Sequence, residues 1–428
     1  VFQTFRNAWK IPELKNRLLF TLAILVVYRL GCAIPVPFVT SSALTQMFSN
    51  GNMLAYLDMM SGGALSRCTL FALGVTPYIN ASIIVQLLTV AIPSLENIAK
   101  EPDGQQKLQQ ITRYAGGIIA LIMSLGYYFV VRNMGALKYT SGAAGIFTAV
   151  VIIATFTAGA QLITWCGEQI DDKGIGNGIS LLIFAGIVSN LFNGITGNIY
   201  TAVANGTTTA WLSVLVILLM LVVMTFAVTY VDLGERRIPL QISKQVKGRR
   251  VYGGQNTHMT LKVVSVGVLP LIFAYSLLAF PGTIGALVAP NSGFTAWCNA
   301  YLSSGSWVYM ILSALLIVGF TFFYSSISFD PNKQAKQLME QGATIPGQRG
   351  KNIRDYLART TNRLNLFAAL FLAVLAVIPT LLTSWVTNLP FAASSILIAV
   401  SVSLETMRAV GGELSIRGIE TDKDNGFM

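Results

Sequence analysis

The chain has 428 residues, 54% hydrophobic and only 11% charged, with a net charge of +11 and a mean hydropathy of +0.62. Soluble domains run nearer ~25% charged, and the apolar runs here repeatedly exceed the ~18 residues that mark a membrane span. These values exclude an ordinary soluble domain, and the placement of the positive charge in loops between spans argues against nucleic-acid binding.

In chain order, spans are expected near 17–34, 70–92, 112–131, 144–166, 176–194, 209–231, 262–288, 306–329, 364–386 and 391–410. The first is full-length and follows Arg6, Lys10, Lys15 and Arg17, so no cleavable signal peptide is expected. After it, residues 54–67 (LAYLDMMSGGALSR) are moderately apolar but too short to span, and Asp58, Gly62 and Gly63 interrupt them. Two readings stay open: an external loop, or a short re-entrant helix against protein or a water-filled cavity. Within the second span, polar Asn80, Ser82 and Gln86 follow Pro77 and need partners in lipid, so that face should meet another helix. Pro77, Pro270 and Pro281 are expected inside spans as kinks or hinges. The run DKGIGNGIS (172–180) has no preceding strand and reads as a tight turn using glycine's positive φ, rather than as a phosphate cradle. Two polar loops, 232–262 and 330–363, each carry seven Lys or Arg, which suggests docking of a large soluble partner.

Of 29 Lys and Arg, 25 fall on the side of the two termini, against Arg67, Arg132 and Lys138 opposite and Arg29 within the first span. Arg29 is near enough its outer end to snorkel. Positive-inside therefore places both termini in the cytoplasm. Five spans per half permit an inverted repeat, 1–195 against 196–428, although no internal sequence repeat is evident. None of the 18 Asp and Glu falls in mid-span, Glu405 coming closest, which counts against the intramembrane carboxylate relays of ion-coupled transport. No P-loop, H-E-x-x-H or G-x-S-x-G occurs, and the single histidine, His258, lies in a basic loop. Cys32, Cys68, Cys166 and Cys298 lack metal-ligand spacing. No cofactor, metal or enzymatic activity is expected, and energy for directed movement must come from outside the chain.

Four stretches carry a resemblance that covers essentially the whole chain: MSGGALSRCTLFALGVTPYINASIIVQLL (60–88), WCGEQIDDKGIGNGISLLIFAGIV (165–188), GRRVYGGQNTHMTLKVVSVGVLPLIFA (248–274) and IPGQRG (345–350). In this order they resemble the SecY family, the central subunits of the bacterial protein-translocation channel. The resemblance implies an all-α polytopic protein with ten transmembrane helices in two inverted five-helix halves, a clamshell around an hourglass pore that opens sideways to lipid between the second and seventh helices. It implies a pore ring of Val75, Ile79, Ile179, Ile183, Ile272 and Ile398; Val75/Ile79 and Ile179/Ile183 are i,i+4 pairs, each sharing a helix face. Residues 54–67, with Leu54, Leu57, Met60, Gly62, Gly63 and Leu65, are expected as a short plug helix, and Asn80, Ile83 and Gln86 at the lateral gate. Lys244, Arg249, Arg250, Arg349 and Lys351 are expected to dock the motor ATPase SecA or the ribosome. The chain departs mildly from the family at Val75, a smaller knob, and at Gln348 and Gly350 around the arginine.

The function so implied is a protein-conducting channel subunit of the plasma membrane. It passes unfolded secretory polypeptides and releases apolar segments into lipid, with signal sequences, nascent chains, SecE, SecG, SecA and the ribosome as partners. The rival class is an ion-coupled small-solute transporter with inverted repeats, which needs a polar midplane site, and the spans supply none with charge.

Overall fold

The computed structural model describes residues 2–40, 61–101, 103–133, 135–206, 208–242, 245–247, 250–252, 256–264, 267, 269–288, 292–302, 306–347, 351–382 and 393–417. A short helix α1 (Phe2–Lys10) leads into α2 (Pro12–Gly31), and α3 (Thr76–Ala91) turns into α4 (Pro93–Lys100). Then come α5 (Gly104–Asn133), α6 (Gly142–Lys173), α7 (Gly178–Asn205) and α8 (Thr208–Asp232). After a sheet-forming segment follow α9 (Leu269–Val288), α10 (Gly293–Tyr301), α11 (Trp307–Ser328), α12 (Pro331–Glu340), α13 (Lys351–Leu382) and α14 (Ala393–Ile416).

Each of the ten expected spans overlaps one long helix, as lipid requires when backbone groups must be satisfied within the segment. Among the described residues six helices are individually long and apolar enough to cross, or seven if α3 and α4, bent by 105°, are read as one span. The rest, α2, α9 and α14, miss that measure: α2 and α14 carry ionic residues such as Arg17, Arg29, Arg408 and Glu413, and the apolar run of α9 is short.

Within the first five long helices α3 packs on α5, α5 on α6, and α6 on α2 and α7. Within the last five, α9 packs on α11, α11 on α13, and α14 on α8 and α13. Contact between the two sets runs along two seams. At one, α7 meets α8 and α14, close to the short connection between α7 and α8; at the other, α9 meets α3 and α5 with no covalent link nearby. One seam is therefore a hinge by construction, and the other is held by side chains alone. The ends are also tied: Ala8, Leu14, Ile175, Val410 and Leu414 bury together, flanked by Arg17–Glu413 (3.3 Å) and Arg417–Glu13 (2.7 Å).

Three expectations are corrected. The second span does not start near 70: residues 61–75 form turns, and the helix begins at Thr76. Pro77 and Pro270 stand in the first turn of α3 and α9, where the missing N–H costs nothing, whereas Pro281 lies inside α9. The two basic loops are not separate polar loops. The first contains β1 (Glu235–Ile242), β2 (Gln245–Lys247), β3 (Arg250–Tyr252) and β4 (Asn256–Lys262). The second contributes α12, β5 (Ala343–Thr344) and the first turns of α13.

β1 pairs antiparallel with β4 from Glu235↔Lys262 to Gln241↔Asn256, and on its other edge with β5 through Gln241↔Thr344. The two-residue period of β1 turns Ile238 and Leu240 inward while Arg237 and Pro239 stay exposed. Under the sheet, Ile238, Leu240 and Leu261 of the first loop pack on Ala335, Leu338, Ala343, Ile345, Ile353 and Leu357 of the second. Both loops thus fold on one apolar core. Truncating Leu357 to Ala should cost about 2–5 kcal/mol locally and raise the open population by roughly 30-fold at the lower end. Limited trypsin digestion should then cut faster at Arg236 and Arg237, in the other loop; an unchanged rate there would show that the loops open independently.

Candidate functional site

Most of the irregular stretch 61–75 is buried in protein, with Arg67 exposed. Gly62 and Gly63 have φ of +73° and +78°, which breaks any helix through them, so the described part of the expected plug helix is a run of turns. Ser61 through Leu65 are buried. Their carbonyls find partners at this depth: the Tyr28 hydroxyl donates to Ser61 O (3.4 Å), Tyr127 to Leu65 O (2.6 Å) and Thr69 to Ala64 O (3.2 Å). A Cβ on Gly62 would lie 2.9 Å from Arg29 Nη1 and 3.2 Å from the Gly186 Cα of α7, so the segment is seated between α2 and α7. Arg29, expected near the outer end of the first span, is partly buried. Its Nη1 is buried beside Gly62 and makes no hydrogen bond to any described residue. Leu54, Leu57 and Met60 lie outside the described residues.

Five of the six residues expected at the constriction, Val75, Ile79, Ile183, Ile272 and Ile398, are almost fully buried in the largest apolar cluster. They come from the turn before α3, from α3, α7, α9 and α14, so this cluster joins both sets of helices. Ile179 sits apart. It is only half-buried, and its δ-methyl lies against Gly167 of α6, where an added Cβ would come within 2.5 Å. The turn that launches α7 is built as the glycine run suggested: Gly176 has φ of +85°, Asp171 accepts from Gly178 N (2.7 Å), Asn177 caps the helix at Ser180 N (3.1 Å), and Thr21 of α2 accepts from Ile175 N (3.2 Å).

The unlinked seam holds the residues expected at the gate. Ile83 points into the main cluster. Asn80 lines a cavity of about 130 Å³ between α3, α5 and α9, together with Thr76, Ile84, Met123, Ser276 and Phe280. Gln86 accepts a hydrogen bond from the Tyr324 hydroxyl of α11 at 2.7 Å and donates to Ser82 at 3.0 Å. Tyr324 stacks on Phe273 of α9 with centroids 4.9 Å apart. The polar face of α3 therefore does meet other helices, and Tyr324 is the partner that sequence reasoning missed. Asp232 at the end of α8 is another unforeseen site, tied to Arg408 of α14 by a 3.2 Å ion pair and through its carbonyl at 2.6 Å.

Of the basic residues expected to dock partners, Lys244, Arg249 and Arg349 lie outside the described residues. Arg250 opens β3, paired across from Lys247 of β2, and Lys351 opens α13. Among the described residues no group of three or more His, Cys, Asp or Glu could hold a metal ion.

The model of the family described as SecY matches residues 69–407 of this chain. The protein translocase subunit SecY of Streptomyces coelicolor is 39% identical, covering 97% of this chain and 98% of its own length. That of Mycobacterium bovis is 37% identical, covering 98% and 99%. Among solved structures, a protein-conducting channel superposes with a TM-score of 0.68 at 21% identity, covering 93% of this chain and 92% of its own. Sec61 in a canine ribosome–channel complex from the endoplasmic reticulum gives 0.64 at 19%, with the same coverage. These superpositions share the fold, and the small-solute transporter reading finds no support among these matches.

Proposed function

The chain belongs to the SecY family of protein translocase subunits, multi-pass membrane proteins that form a protein-conducting channel, and from that premise we propose how its residues divide the work. Val75, Ile79, Ile183, Ile272 and Ile398 form the closed constriction, with Ile179 at its margin. The observation that carries this is their common burial in one apolar cluster contributed by both halves, 1–195 and 196–428. A ring of aliphatic side chains offers an ion no ligands and opposes wetting, yet it yields to a passing chain of any sequence because no specific contact must be replaced. Residues 54–67 act as the plug; the seat of Gly62 and Gly63 against α2 and α7, and of Leu65 against Tyr127 of α5, supports this. The seam between α3 and α9 is the lateral gate, with Asn80, Ile83 and Gln86 on its α3 side.

The folded basic unit of β1–β5, α12 and the start of α13 is the docking surface, through Lys244, Arg249, Arg250, Arg349 and Lys351. Its partners are the motor ATPase SecA and the translating ribosome, and the small subunits SecE and SecG complete the assembly. The ribosome-bound Sec61 neighbour supports the ribosome as a partner. The bias of 25 of the 29 Lys and Arg supports a plasma-membrane orientation with both termini in the cytoplasm.

Replacing Ile79, Ile183 or Ile398 with Asn should wet the constriction and raise resting ion conductance of reconstituted channels, while export of a signal-impaired substrate increases. Unchanged conductance and export for all three would remove them from the ring. Arg349→Glu should leave topology intact, since the remaining inside charges still set orientation, yet abolish SecA-driven export. Protease accessibility measured beside translocation separates the two effects; normal export by correctly inserted protein would make the loop's charge topological only.

A further inference from the structure

The unlinked seam is unevenly filled. Around Asn80 and Ser276 it leaves a partly open cavity of about 130 Å³, whereas further along α3 it is closed by a hydrogen bond from Tyr324 to Gln86 at 2.7 Å. The two residues lie 238 positions apart and belong to different halves. Neither is free to look elsewhere. Gln86 is steadied by Ser82 at 3.0 Å, and the buried Tyr324 ring is stacked on Phe273 at 4.9 Å and edge-on to Phe323 at 5.5 Å.

We propose that the Tyr324–Gln86 hydrogen bond is a latch of the closed lateral gate, and that it sets how apolar a segment must be before it parts α3 from α9 and α11. The proposal rests on reading this seam as the gate and names the residues that fix its threshold. An apolar helix entering the seam has its own backbone groups satisfied internally, so it offers nothing to replace the bond. Parting the seam leaves the phenol and the amide to find water or stay unpaired, a penalty that the incoming segment offsets by burying its apolar side chains. Ring stacking on Phe273 keeps Tyr324 with α9 and α11, so the break falls between α3 and this aromatic group. Once the seam is open the bond is gone and no longer affects passage. Tyr324 and Gln86 are accordingly positioning residues that discriminate among segments.

The experiment uses the full translocase reconstituted in vesicles and a secretory substrate whose signal is weakened by successive Leu→Ala changes. Tyr324→Phe and Gln86→Leu should each export weakened substrates roughly two- to ten-fold faster than the unchanged chain, with full-strength export unaltered. Both together should go no further than either alone, because the same single bond across the seam is lost in every case. Gln86→Glu keeps an acceptor oxygen and should restore the original threshold. Single variants with an unshifted threshold, or effects that add in the double variant, overturn the latch. Slower full-strength export by both single variants also overturns it, since a bond made only in the closed seam cannot assist passage. Failure of the channel reading itself would be distinct: the unchanged chain would then export nothing in the same vesicles.

Discussion

A backbone carbonyl at membrane depth must be paired by protein, because lipid supplies no donor. Fourteen long and short helices meet this demand along most of the described chain, but residues 61–75 do not. Their turns survive because Tyr28, Thr69 and Tyr127 donate to the carbonyls of Ser61, Ala64 and Leu65. Tyr28 in turn stacks on Phe71 at 5.8 Å, and Tyr127 meets Phe156 edge-on at 5.3 Å. Tyr127 thus packs α5 on α6 and Tyr28 packs α2 on the irregular segment, and the same two hydroxyls satisfy carbonyls of that segment. Close packing of these helices and tolerance of a non-helical stretch between them are one constraint.

Much of the architecture was legible because hydropathy and charge report directly on a bilayer. Every span from 17–34 to 391–410 found its helix, and the glycine run at 172–180 found its turn at Gly176. Boundaries failed where helices leave lipid. The ninth span was expected from 364, yet its helix starts at Lys351, since hydropathy cannot see a helix continuing into water. Likewise β1 reads ERRIPLQI, with only Ile238 and Leu240 to mark its inward face, too brief an alternation to stand out in a polar loop.

The candidate site divides the same way. The i,i+4 spacing gave Val75/Ile79 and Ile179/Ile183 a shared helix face each, but it does not say that Ile183 is fully buried while Ile179 stays at the cluster's edge against Gly167. Arg29 looked like a residue that reaches for the interface, and only the seat of Gly62 against it reveals a buried guanidinium nitrogen. The polar face of Asn80, Ser82 and Gln86 announced that α3 needs a partner. Which partner was invisible, because a hydrogen bond spanning 238 residues leaves no local trace in the chain.

The shared core of the two basic loops has a mechanical consequence. Helices α8, α9, α11 and α13 all run into that one folded unit, so it cannot shift against one of them without straining the others. The 32 residues of α13 make a continuous rod of about 48 Å at 1.5 Å per residue. Its first turns belong to the unit, and its later ones contribute Leu372, Leu375 and Ala376 to the central apolar cluster. Packed along α11, α13 thus ties the outside of the unit to the middle of the protein through one unbroken hydrogen-bonded element.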